Sequence, residues 1–76
     1  MPRLPRITGN QALRALRRAG WTTERVRGSH HILVHAARPG ATVVVPVHAG
    51  EILRPKTLST ILEQAGLTVE HFIDLL

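Results

Sequence analysis

Five histidines carry most of the chemistry that this 76-residue sequence could perform: His30, His31, His35, His48 and His71. An imidazole titrates near neutral pH, so a histidine can accept and return a proton during a reaction. The sequence has no cysteine, which excludes thiolate nucleophiles, disulfides and cysteine-bound zinc. The spacing of its five acidic residues does not indicate a Ser-His-Asp triad. Proton transfer by a histidine is therefore the first chemistry to consider.

His30 is the leading candidate because it directly follows Gly28-Ser29, a pair of residues typical of a turn. Glycine lets the backbone approach a phosphate closely, and Arg25 and Arg27 precede the turn with guanidinium groups that bind phosphate. RNA supplies its own nucleophile, the 2′-OH, so its cleavage needs only proton transfer and stabilisation of charge on the phosphate. The alternative is that His30 is simply a polar residue beside a turn.

The remaining histidines are less informative. His48 follows the third predicted strand and either lines the same groove as His30 or is a polar residue at the start of a loop. His31 and His35 share one face of a predicted strand, about 13 Å apart if the strand is straight, which is too far for both to bind one metal ion. We expect these two to face solvent or a partner, and His71 to be structural or exposed. The sequence thus predicts neither a metal site nor a cofactor.

Positive charge is concentrated in the first half of the chain. The net charge is +5, yet residues 1–38 hold eight arginines against one acidic residue, whereas residues 39–76 hold two basic and four acidic residues. Such asymmetry favours a surface that faces a polyanion, with nucleic acid as the first candidate. The alternative is a solvated basic surface that serves solubility.

Length and hydropathy limit the class of protein. Seventy-six residues are enough for one domain with a small core, and the hydrophobic fraction of 43% is ordinary for a folded domain. The apolar runs are too short to span a membrane, and the first six residues lack the apolar stretch of a signal peptide. We therefore expect a cytoplasmic protein with residues 1–76 as one domain.

Local patterns predict the element order α-β-β-β-α followed by a short third helix. Thr8 to Gln11 forms a capping box at the start of the first helix, and Pro55 suits the first turn of the second. The predicted helices cover about residues 9–19 and 55–65 with a short one after Thr68, and the predicted strands cover residues 21–27, 30–36 and 42–47. Three strands joined by tight turns form an antiparallel sheet, and the helices must bury their apolar sides on one of its faces. This α+β arrangement resembles the double-stranded-RNA-binding fold.

Several runs of residues together resemble the HicA toxin family over about residues 6–73. They are Ile7-Thr8-Gly9, Ala19-Gly20-Trp21, Gly28-Ser29-His30-His31, the strand 43–48, Thr57-Leu58 and the helix 61–67. Each run is weak alone, but their order and spacing are fairly specific. One departure is Pro55-Lys56 before Thr57, where a glycine is common.

The resemblance implies a double-stranded-RNA-binding-like fold and metal-independent cleavage of mRNA that inhibits translation. It also implies an antitoxin of the HicB type that binds the toxin and blocks its site. The single catalytic histidine of the family carries over to His30, with Gly28 and Ser29 as its supporting turn.

Taken together, the sequence predicts a single HicA-like domain over residues 1–76 that acts as an endoribonuclease toxin, with His30 as general acid or base. The predicted substrate-binding residues are Arg25, Arg27, Gly28, Ser29 and His48. One alternative is an RNA-binding module without activity, since the fold it resembles usually only binds RNA. Another is a protein-interaction domain whose basic surface binds an acidic partner.

Overall fold

The computed structural model describes residues 3–76, in which three helices pack on a three-stranded antiparallel sheet. The elements are, in order, α1 (Gly9–Arg18), β1 (Trp21–Arg27), β2 (His30–His35), β3 (Thr42–Pro46), α2 (Pro55–Ala65) and α3 (Val69–Leu75). Each strand pairs with the next along the chain, so the sheet order is β1-β2-β3. The predicted α-β-β-β-α order is confirmed, with α1, β2 and β3 each ending one residue earlier than expected. None of the helices in residues 3–76 has the length and apolar character needed to cross a bilayer.

Helix α1 begins at the predicted capping box. The Thr8 hydroxyl accepts from the Gln11 N–H at 3.2 Å, while the Gln11 side-chain oxygen accepts from the Thr8 N–H at 2.9 Å. Both backbone donors are thereby satisfied at the helix start. Gly9 packs against the end of β3, where a Cβ atom would collide with the Pro46 carbonyl oxygen. This close approach brings the start of α1 next to the β3 terminus.

The two faces of the sheet have different surroundings. Leu33 in the middle of β2 is fully buried, and it pairs with Thr23 on β1 and with the buried Val43 on β3. Paired residues lie on the same face of a sheet, and neighbours along a strand lie on opposite faces. We call the side of Leu33 the helix-covered face. The other side, here called the open face, carries Thr22, Arg25, Arg27, His30, Ile32, Val34, Thr42, Val44 and Pro46.

A β-bulge in β1 determines which residues reach the open face. The pairing with β2 shifts between Thr23 and Arg25, so that Glu24 is an extra residue without a partner. Without this shift, strict alternation from the buried Trp21 would place Arg25 and Arg27 on the helix-covered face. The bulge therefore directs both arginines away from the core.

The core lies between the helices and the helix-covered face. Its largest fully buried side chains are Trp21, Phe72, Leu16, Leu33, Leu58, Ile61, Val43 and Val45. Helix α2 begins with Pro55 in its first turn and ends at Gly66, as predicted. The guanidinium of Arg38, in the β2–β3 connection, lies over the Trp21 ring and donates to the Ala65 carbonyl at 2.8 Å. Arg38 thus fixes the end of α2 to the sheet.

Residues 47–54 connect β3 to α2 and lie against the segment before α1. The Leu53 N–H donates to the Ile7 carbonyl at 2.8 Å, and Ile52 forms an isolated antiparallel bridge with Thr8. The Leu53 and Ile7 side chains both belong to the core. The connection is therefore held at its C-terminal end by backbone pairing and apolar contact.

Candidate functional site

His30 is the first residue of β2 and follows a two-residue hairpin turn made by Gly28 and Ser29. Gly28 has φ +59°, and Ser29 does not have positive φ, as expected for a type II′ turn with glycine first. A Cβ atom at Gly28 would have no other atom within 4 Å, so the tip of the hairpin is open to solvent. The turn therefore places His30 at the end of a rigid hairpin.

Two cross-strand neighbours surround His30 on the open face. Its partners are Arg27 on β1 and Pro46 on β3, and such neighbours have Cβ atoms about 4.5–5.5 Å apart. The His30 side chain is exposed. Among residues 3–76, the ring of His35 forms hydrogen bonds and the ring of His48 contacts a carboxylate, whereas the His30 ring does neither. The His30 ring is thus free to exchange a proton with a bound molecule.

Arg25 and Arg27 lie beside His30 on the open face, where the β-bulge at Glu24 directs them. Arg27 pairs with His30 and Arg25 pairs with Ile32, and both arginine side chains are exposed. In residues 3–76 neither arginine forms an ion pair with a carboxylate. Their positive charges are available to an anionic ligand that lies across the hairpin.

Ser29 and His48 extend the site toward β3. The Ser29 carbonyl accepts from the Val47 N–H at 2.7 Å, which continues the β2–β3 pairing past Pro46. His48 is exposed in the connection that follows, with its Nδ1 4.0 Å from a carboxylate oxygen of Glu51. His48 therefore lies in a loop, as one interpretation of the sequence held. It also lines a cavity next to Pro46, but His30 is not among the lining residues, so a groove shared with His30 stays a prediction.

This cavity has a volume of about 480 Å³ and lies between the end of β3 and the start of α2. It is lined by Pro46, His48, Glu51, Ile52, Leu53, Arg54 and Thr57. Of these residues, the sequence analysis identified only His48 as functional. Pro46 joins the cavity to the open face because it is also the cross-strand partner of His30.

His35, on the helix-covered face, has structural surroundings. The His35 Nδ1 accepts from the Ala37 N–H at 3.1 Å, so its Nε2 carries the hydrogen and donates to the Ala19 carbonyl at 2.9 Å. Its ring also meets the edge of Trp21 at 5.2 Å between centroids. The expectation that His35 faces solvent or a partner is wrong, because these contacts fix it between the β2 terminus and the end of α1.

His31 and His71 differ from His35. The Nδ1 atom of His31 is buried without a hydrogen-bond partner in the described residues, although the residue as a whole is only half-buried. His71 is exposed on α3, and its N–H donates to the Thr68 hydroxyl that begins this helix. Within residues 3–76, no three His, Asp or Glu side chains are grouped as metal ligands would be.

Comparison with protein families identifies a match over most of the chain. The model of a family described as the HicA toxin of bacterial toxin-antitoxin systems matches residues 9–67. This range contains the whole sheet, α1, α2 and the cavity. A search of curated proteins found no significant match.

Proposed function

Because the chain belongs to the HicA toxin family, and is therefore the toxin of a toxin–antitoxin system, we propose that it is an endoribonuclease that cleaves mRNA and so inhibits translation. The observation that carries this proposal is the position of His30. Its ring is exposed, has no hydrogen-bond or ionic partner among residues 3–76, and lies on the open face next to Arg27, which forms no ion pair within the same residues. A proton-transfer group beside a phosphate-binding group is the minimum that RNA cleavage requires.

In the proposed reaction the RNA supplies the nucleophile. The 2′-oxygen forms a bond to phosphorus while the bond from phosphorus to the 5′-oxygen breaks, which gives a 2′,3′-cyclic phosphate and a 5′-hydroxyl. His30 acts as general base on the 2′-OH or as general acid on the leaving 5′-oxygen. The Arg27 guanidinium stabilises the negative charge that develops on the phosphate. The mechanism uses no metal ion and no cofactor.

The other predicted site residues hold the RNA strand in this proposal. Arg25 binds a second phosphate along the open face, and the turn made by the exposed Gly28 and the half-buried Ser29 lets the RNA backbone approach closely. His48 contacts the strand beyond Pro46, where it lines the cavity. Residues 1–76 act together as one functional domain, because the site draws on β1, β2 and the connection to α2.

The proposed protein partner is an antitoxin of the HicB type that binds in the cytoplasm and covers His30. The positively charged first half of the chain favours an acidic surface on that partner. Binding there blocks the RNA from the open face, so inhibition requires no change in the fold of the toxin.

Cleavage of a defined RNA by the purified protein tests the proposal. We expect cleavage to continue in EDTA, to leave a 2′,3′-cyclic phosphate, and to fail on RNA with a 2′-deoxy sugar at the cut site. His30→Ala should lower the cleavage rate by about 10²–10⁴-fold, the usual contribution of a general acid or base. Cleavage of the deoxy-substituted RNA, or activity that is lost in EDTA and restored by a divalent metal, would contradict the mechanism.

The exposed, unpaired arginines of the open face are also compatible with a second function, an RNA-binding module without activity. RNA binding by the wild type with no His30-dependent cleavage would favour this alternative. Loss of cleavage with retained binding in His30→Ala would exclude it.

A further inference from the structure

We infer that the cavity between β3 and α2 binds the nucleotide next to the scissile phosphate and gives the cleavage reaction its base preference. The inference rests on the proposed function, because it assigns a second subsite to the same RNA strand. Glu51, Arg54 and Thr57 are its new functional residues, in addition to His48.

The position of the cavity relative to His30 is the first argument. Pro46 is both a wall of the cavity and the cross-strand neighbour of His30, and the Val47 N–H is bonded to the Ser29 carbonyl just before His30. One side chain therefore separates the proton-transfer group from the cavity. A strand with its scissile phosphate at His30 reaches the cavity with the adjacent nucleotide.

The lining of the cavity is the second argument. Pro46, Ile52 and Leu53 supply the apolar part of the lining, and residue Ile52 is 44% exposed, so it is available to contact the face of a base. The Thr57 hydroxyl can donate or accept a hydrogen bond, and the Arg54 guanidinium can bind a flanking phosphate. The lining is more polar than apolar, which suits a ligand that joins a flat base to a charged phosphate.

The size of the cavity fits the same ligand. Its volume of about 480 Å³ lies at the lower end of the range of roughly 300–1,000 Å³ for small-molecule sites. The cavity is half open to solvent and is large enough for a single nucleotide.

Glu51 determines which base is preferred. A carboxylate only accepts hydrogen bonds, and its two oxygens can accept from two adjacent donors at once. Guanine presents such a pair, its N1–H and its amino group, whereas the pairing edges of adenine, cytosine and uracil each carry one donor group. We therefore expect the adjacent nucleotide to be guanosine.

Mapping of cut sites in an RNA pool with randomised sequence tests this inference. The wild type should favour guanosine at one position next to the cut by about 10-fold, the size of effect that one good base contact supplies. Glu51→Gln, which adds a donor, should reduce this preference to about 3-fold or less, and Thr57→Val should weaken it. Glu63→Gln, an exposed charge change on α2 outside the cavity, is the matched control and should leave the preference intact.

Two results would overturn the inference: no base preference next to the cut in the wild type, or the same preference in Glu51→Gln as in the control. A second measurement separates failure of the subsite from failure of the nuclease. Binding of uncleavable 2′-deoxy oligonucleotides that differ at one base should show the same preference and its loss in Glu51→Gln. That binding result supports the subsite even if the wild type does not cleave RNA. Equal affinities for all oligonucleotides, together with an absence of cleavage, would overturn both the subsite and the proposed nuclease function.

Discussion

The two faces of strand β2 use the same kind of residue in opposite ways. On the helix-covered face, His35 has both ring nitrogens engaged with backbone groups and its ring against Trp21. On the open face, His30 is exposed, next to Arg27, and its ring has no protein partner among the described residues. Five positions apart on one strand, one imidazole stabilises the fold while the other is free for proton transfer.

The comparison shows that the type of residue does not decide the function of these histidines; the face of the strand does. An imidazole with both nitrogens occupied has neither a lone pair nor a proton to offer to a substrate without breaking the structure. Strand alternation therefore separates the structural residues from the chemical ones, and substitutions on the two faces should affect different properties.

The largest effect on stability is expected from Leu33 and its neighbour Ile32. Leu33 is fully buried, so Leu33→Ala should lower the free energy of unfolding by about 2–5 kcal/mol through reduced burial and cavity formation. Ile32 is only half-buried on the open face, so Ile32→Ala should cost about 1 kcal/mol. Urea denaturation measures both variants. Equal decreases would mean that the open face is covered by another part of the molecule.

A smaller difference in the free energy of unfolding is expected between His35→Ala and His30→Ala. The first removes two hydrogen bonds and leaves the Ala19 carbonyl without its partner, which should lower the free energy of unfolding by about 1–3 kcal/mol. The second removes an exposed ring and should change it by at most about 0.5 kcal/mol. Thermal or urea unfolding of the two variants provides the measurement. A decrease in His30→Ala as large as in His35→Ala would assign His30 a structural role.

The smallest effect is expected on RNA affinity when pairs of arginines are replaced. Replacing Arg25 and Arg27 with alanine should weaken RNA binding and reduce its salt dependence. The slope of log affinity against log salt concentration should fall by roughly one unit for each phosphate that is no longer bound. Replacing Arg14 and Arg17 removes the same charge from the exposed side of α1 and should leave that slope nearly unchanged. Affinity titrations at several salt concentrations compare the pairs. A reduced slope after replacement of Arg14 and Arg17, with an unchanged slope after replacement of Arg25 and Arg27, would place the RNA on the helices.

Much of the fold could be predicted because its signals are local. The capping box at Thr8 and the helix end at Gly66 each depend on residues within one turn of a helix, and the hairpin at Gly28 depends on two adjacent residues. The bulge at Glu24 could not be predicted in this way. The bulge arises because the pairing of β1 with β2 must bury Trp21 and leave Arg25 in solvent. This requirement involves both strands, so the sequence of β1 alone does not reveal it.

The candidate site was only partly predictable for the same reason. His30 and its arginines are close in sequence and share one hairpin, so their proximity could be inferred. The cavity requires the connection after β3 to fold against Ile7, about 46 residues earlier, and no local pattern indicates this contact. The bond from His35 to Ala19 is likewise a tertiary contact, and the expectation for His35 failed there.

The bond between Leu53 and Ile7 has a consequence for local motion. Residues 47–54 contain no helix or strand. They are held at one end by the bond from the Val47 N–H to the Ser29 carbonyl and at the other by the Leu53 bond, the Ile52 bridge and the buried Leu53 side chain, whereas β2 is paired along its length with strands on both sides. Segments with so few backbone bonds open with a smaller free energy than the whole domain. The connection can therefore fluctuate while the hairpin that carries His30 keeps its geometry, which combines an adaptable region for recognition with a rigid one for chemistry.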